Sequence, residues 1–103
     1  MLTIKKLSAM PYAQAHVEIA DDGSICLFSY TTLVASIDPD GWCCCYGLYS
    51  QTTRKHISAF VNEYAAPLNY FDFKRAYLEE YIINHCTGEI KMLADLFGDE
   101  LDN

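Results

Sequence analysis

The stretch Asp38-Pro39-Asp40-Gly41, set between the β-rich runs Leu33 to Ile37 and Trp42 to Tyr46, restricts the fold more than any other. Proline presets the first turn dihedral, Asp38 can accept hydrogen bonds from the turn backbone, and Gly41 can take a positive φ. The two runs are therefore predicted to form an antiparallel hairpin. A similar unit precedes it, where His16 to Ile19 and Ser24 to Tyr30 flank Ala20-Asp21-Asp22-Gly23, whose Asp-Gly step suits a hairpin turn. Two successive hairpins commit the first half to an antiparallel sheet, because parallel neighbours need a long crossover between them. Weak alternation in residues 2 to 7 adds a short edge strand with Leu2, Ile4 and Leu7 on one side. Alternation in the second hairpin places Leu33, Ala35 and Ile37 on one face. It also sets Trp42, Cys44 and Tyr46 opposite Cys43 and Cys45, so both sides of the cysteine run are expected to be partly covered.

The periodicity changes at Tyr49 to Tyr64. Ile57, Phe60, Val61 and Tyr64 fall at the i, i+3, i+4, i+7 spacing of one helical face. Ser50, Thr52 and Thr53 crowd its start, where a hydroxyl can accept a bond from the first-turn N–H groups. Pro67 ends the helix near Tyr64 to Ala66. Asn69 or Asp72 is then expected to cap a second helix running to about His85, with Tyr70, Phe73, Tyr77 and Tyr81 as an aromatic stripe. Gly88 is expected to terminate that helix, and Ile90, Leu93, Leu96 and Phe97 predict a short third one. The whole is predicted to be one α+β domain: an antiparallel sheet of four to five strands, with two longer helices and a short C-terminal helix on one face. An acidic tail at 98–103 is expected to fray.

Composition narrows the function classes. Half of the 103 residues are hydrophobic, which supports a packed core rather than a disordered chain. Fourteen acids against seven bases give a net charge of −7, which disfavours direct nucleic-acid binding and favours basic partners. No apolar run has signal-peptide or membrane-span length, so a cytoplasmic protein without membrane association is expected. Five cysteines without an export signal are expected to be free thiols.

Three sets of residues carry candidate chemistry. Ser50, Thr52, Thr53, Arg54, Lys55 and His56 combine helix-start N–H groups, hydroxyls and cations, which together could hold an anion. The alternative is a capped helix whose Arg54 and Lys55 pair with surface acids. Asp21, Asp22, Asp38 and Asp40 in the hairpin turns, with Asp95, Asp99, Glu100 and Asp102 near the C-terminus, could present a negative surface to a basic groove. If the hairpins stack as a meander, the two Asp-Gly turns meet at one end. Tyr70, Tyr77 and Tyr81 form either core or an interface, including that of a homodimer. No C-x₂₋₄-C or H-x₃₋₅-H spacing supports a metal, no cofactor motif is present, and no catalytic motif supports an enzyme.

Set out in order, Ser29-Tyr30-Thr31-Thr32, Val34-Ala35-Ser36-Ile37-Asp38, Gly41-Trp42 and Tyr49-Ser50-x-Thr52-Thr53-x-Lys55-His56-Ile57-x-x-Phe60 resemble a family of small proteins encoded mostly by bacteriophages and mobile elements of gut bacteria. The resemblance spans roughly Ile25 to Tyr64 and implies no mechanism. It sets the expectation of a small acidic phage-type protein in the host bacterial cytosol. Such a protein would bind a host protein or nucleoprotein complex and inhibit a nucleic-acid-handling defence. The second expectation is an anion, nucleotide or nucleic-acid module built on the start of the central helix.

Overall fold

The computed structural model describes residues 1–96. Its strands are β1 (Thr3–Lys5), β2 (Ala15–Ile19), β3 (Ile25–Ser29), β4 (Thr32–Ile37), β5 (Trp42–Cys45), β6 (Tyr81–Asn84) and β7 (Ile90–Met92). They form one antiparallel sheet in sequence order. Two helices, α1 (Gln51–Tyr64) and α2 (Tyr70–Leu78), are inserted between β5 and β6. Residues 93–96 are helical. The class is α+β as expected, but the sheet has seven strands rather than four or five.

The extra strands come from the segment predicted as helix. α2 starts at the Asn69 cap, with Asn69 Oδ1 accepting from Asp72 N and Asp72 Oδ2 accepting from Asn69 N. It ends at Leu78 rather than near His85. Glu80 then takes φ +58, which turns the chain out of the helix. Tyr81-Ile82-Ile83 suits a pleated strand through its aromatic and β-branched side chains, and β6 pairs with β5 through Trp42↔Asn84 and Cys43↔Ile83. The four-residue spacing of Tyr77 and Tyr81 is therefore not a helical stripe. Gly88 lies in the β6–β7 turn instead of capping a helix, and Ile90 belongs to β7. Phe97 and the predicted tail at 98–103 lie outside the described residues.

The core lies between one sheet face and the two helices. α1 buries Thr53, His56, Ile57, Ala59, Phe60 and Val61, a wider face than the apolar stripe alone. Phe60 and Phe73 are the largest fully buried side chains and meet Val17, Leu27, Val34 and Cys43 in one cluster. A bulge corrects the expected facing of Leu33. Leu27 pairs with Ala35 and Phe28 with Leu33, so Val34 is an extra residue and strand parity flips there. Val34 and Ala35 are both fully buried, whereas Leu33 turns to the opposite, helix-free face. Leu7 is also core, while Leu2 and Ile4 are exposed. The helix-free face carries stacked His16 and Phe28 rings (4.9 Å between centroids) and Lys91 Nζ 4.5 Å from the Trp42 ring centroid. Among the described residues no helix is long and apolar enough to cross a membrane.

Candidate functional site

The start of α1 lies against the β3–β4 turn, and the two halves of the sequence pattern meet there. Ser50 is the N-cap, and its Oγ accepts from Thr53 N at 3.2 Å. From it a chain of polar side chains runs inward: Ser50 Oγ to Thr53 Oγ1 (3.2 Å), Thr53 Oγ1 to Ser29 Oγ (3.1 Å), and Ser29 Oγ to His56 Nδ1 (2.9 Å). Ser29, Thr53 and His56 are 2%, 4% and 1% exposed. Burial pushes the His56 pKa below its ordinary value, because the imidazolium would lose its hydration. A seryl hydroxyl beside an imidazole is also the geometry of an activated nucleophile. Here the hydroxyl is closed off from solvent, so the contact ties hairpin to helix. Each member satisfies another in a region where an unpaired polar group is costly.

Two exposed tyrosines border this cluster. Tyr30 lies over the His56 ring (centroids 6.1 Å apart) with φ +57, and Tyr49 precedes the cap with φ +45. Tyr49 folds back closely on Gly47, so that a Cβ there would fall 2.5 Å from its ring and the exposed ring would have to move aside. Of the six residues predicted to bind an anion, Thr53 and His56 are turned inward and Ser50 is taken up as the cap. Thr52, Arg54 and Lys55 are exposed. Neither Arg54 nor Lys55 makes an ion pair among the described residues, so the acid partners expected for a merely capped helix are not found there.

At the opposite end of the sheet the β2–β3 and β4–β5 turns lie side by side, since a Cβ on Gly23 would stand 4.0 Å from Pro39 Cβ. Asp22 Oδ1 accepts from Ser24 N at 2.8 Å, and this bond holds the Asp22 carboxyl below its ordinary pKa. Asp38 Oδ1 accepts from both Asp40 N and Trp42 N at 2.9 Å. Asp21 pairs with the Met1 ammonium. These bonds shape the turns while leaving Asp21, Asp22, Asp38 and Asp40 exposed. Asp95 is exposed in the 93–96 helix, and Asp99, Glu100 and Asp102 lie outside the described residues.

Sequence reasoning missed Asn84, which is 4% exposed and fastens this end. Its Nδ2 donates to Asp40 O (3.0 Å), and its Oδ1 accepts from Cys86 N (2.8 Å) and Thr87 N (3.2 Å). Gly41 is required beside it: its φ is +98, and a Cβ would meet Cys86 Sγ at 2.9 Å and Asn84 Oδ1 at 3.0 Å. Its bonds to Cys86 and Thr87 are local, but the Asp40 carbonyl that it fastens lies 44 residues away, a link that no sequence pattern marks.

The predicted tyrosine stripe divides. Tyr70 is half-buried on α2 with its hydroxyl unpaired, Tyr77 is exposed, and Tyr81 is buried on β6 rather than helical. Tyr77 and Tyr81 line a cleft of about 530 Å³ that opens beside β5 and β6, with Cys44, Tyr46, Leu93 and Leu96. Its walls are apolar and its volume falls in the range of small-molecule sites.

No curated protein and no solved structure matches the chain. One family profile does, over residues 5–75, from the end of β1 into α2. That span contains the Ser29–His56 tie and both acidic turns, and it stops short of β6 and β7. With more than half of its length matched, the chain belongs to DUF8033, a family of unknown function.

Proposed function

We propose that the chain is a non-enzymatic binding protein that presents the acidic turn end of its sheet to a basic surface of a macromolecular partner. One observation carries this reading: the side-by-side placement of the two turns that hold Asp21, Asp22, Asp38 and Asp40. Clustered carboxylates on a chain of net charge −7 raise the encounter rate with a cationic groove and repel nucleic acid. The partner class we assign is a nucleic-acid-handling host protein or nucleoprotein complex. Its basic cleft would be blocked as an anti-defence protein of a phage would block it, in the bacterial cytosol.

The test is affinity capture from host lysate at low and high salt, with the wild type and with a variant carrying Asp→Asn at all four turn positions. A stoichiometric partner lost at high salt and lost by the variant supports the reading. A partner retained equally by the variant rejects it.

A second reading has its own support in Arg54 and Lys55, which make no ion pair among the described residues and stand near a helix start. There Ser50 occupies the Thr53 and Arg54 N–H groups and leaves those of Gln51 and Thr52 to solvent. This would be an anion or nucleotide module. Titration with inorganic phosphate and with nucleotides should show binding that Arg54→Ala with Lys55→Ala abolishes. Binding unchanged by that pair places the ligand elsewhere.

A further inference from the structure

The five cysteines fall into two chemical environments. Cys43 and Cys45 are buried on the core face of β5, where desolvation pushes their thiols up to about 12 and about 11. Cys26 and Cys44 are half-buried and also shifted upward by desolvation. Cys86 is exposed in the β6–β7 turn, and its Sγ lies 3.8 Å from His85 Nε2. The His85 ring is held from its other side, where Nδ1 meets the Ala66 carbonyl oxygen at 3.2 Å. A carbonyl can only accept, so Nδ1 carries a proton, and in the imidazole tautomer that this contact selects the lone pair of Nε2 is directed at the thiol. Nucleophile, base and a third group that orients the base are thereby assembled. The turn itself is fixed by Asn84, whose Oδ1 holds the Cys86 N–H.

We propose that Cys86, activated by His85, is a thiol-modification site that exchanges with small disulfides. The Sγ proton passes to His85 Nε2. The thiolate attacks one sulfur of the disulfide, a new S–S bond forms to Cys86, and the original S–S bond breaks. The departing thiolate takes up the proton from His85. The disulfide is the only co-reactant, and its own sulfur is the atom reduced. The surrounding elements oppose the thiolate: Asp38 and Asp40 lie on the β4–β5 turn and Glu89 on the same turn as Cys86, with the buried Cys43 thiol on β5. Activation therefore depends on the imidazole. Because Cys86 borders Gly41 of an acidic turn, the adduct would alter the surface assigned above to partner binding, but the exchange itself does not require that assignment.

The test uses dithiodipyridine, a neutral disulfide that the aspartates do not repel and whose released thiopyridone is read by absorbance. One thiol per chain should react in a fast phase, mapped to Cys86 by digestion and mass, and absent in Cys86→Ser. His85→Gln keeps a donor for the Ala66 carbonyl but removes the base, and should slow that phase about tenfold or more while circular dichroism stays unchanged. The wild-type pH–rate profile should extend to lower pH than that of the variant. The proposal is overturned if Cys86 reacts no faster than free cysteine, or if His85→Gln leaves both its rate and its profile unaltered.

Discussion

Two hydrogen-bonded ties close opposite ends of the sheet. At one end Ser50, Thr53, Ser29 and His56 join the β3–β4 turn to α1. At the other, the Asn84 side chain and the His85 N–H, which donates to the Gly41 carbonyl, join the β4–β5 turn to the β6–β7 turn. The first is written in the sequence as a dense pattern of hydroxyls and a histidine, which invites a binding-site reading, yet its side chains bond to one another. The second has no pattern and stands beside the exposed thiol. A run of polar residues at a helix start is thus ambiguous between a ligand site and an internal tie. Burial decides between them.

The largest expected effect comes from the first tie. His56→Ala removes a buried ring and the partner of Ser29, and should cost about 3 kcal/mol of unfolding free energy in denaturant titration. The same residue sets a pH dependence. Its folded pKa is lowered by burial, so the unfolded chain binds the proton first, and stability falls as pH drops below about 6.5 towards the folded value. Comparing melting temperatures of wild type and His56→Gln between pH 7 and 5 isolates this contribution. If the two curves are parallel, His56 is not held neutral.

Asn84→Ala should cost about 2 kcal/mol, since it leaves the Cys86 and Thr87 N–H groups and the Asp40 carbonyl without their partner. Hydrogen exchange should accelerate in both turns and not at the start of α1. Acceleration at both ends would mean that the ties are one cooperative unit rather than two. Thr53→Val should cost about 1 kcal/mol, because it keeps the buried shape but breaks the hydroxyl chain between Ser50 and Ser29. In a cycle with Ser29→Ala, the two losses should be less than additive if the chain acts as a unit.

The legible parts of this molecule are those whose information is local. The Asp-Gly turns fixed two hairpins, and Ser50 with Pro67 fixed α1 closely. The first α2 turn was readable at Asn69. What escaped was non-local: β6 exists because β5 offers an edge for Tyr81-Ile82-Ile83-Asn84 to pair with, and helical spacing from Phe73 to Tyr81 disguised it. The Val34 bulge likewise follows from register with β3, which alternation within β4 alone does not encode. In the candidate site the cap was readable from sequence, but the inward turn of His56 depended on Ser29, twenty-seven residues away.

The smallest predicted effect bears most directly on function. Arg54 ends the first turn of α1, where the dipole is positive, Lys55 follows it, and they find no carboxylate among the described residues. Replacing both with alanine should leave stability unchanged or raise it by about 0.3 kcal/mol, because alanine is a better helix former and the unfavourable charge is gone. A measurable loss of stability would show that the two cations have a structural partner. A gain would place them with residues that break a local rule without benefit to the fold, which is where a binding role is sought first. The same double variant then discriminates the two functional readings: capture of a partner through the acidic end should survive it, whereas anion binding at the start of α1 should not.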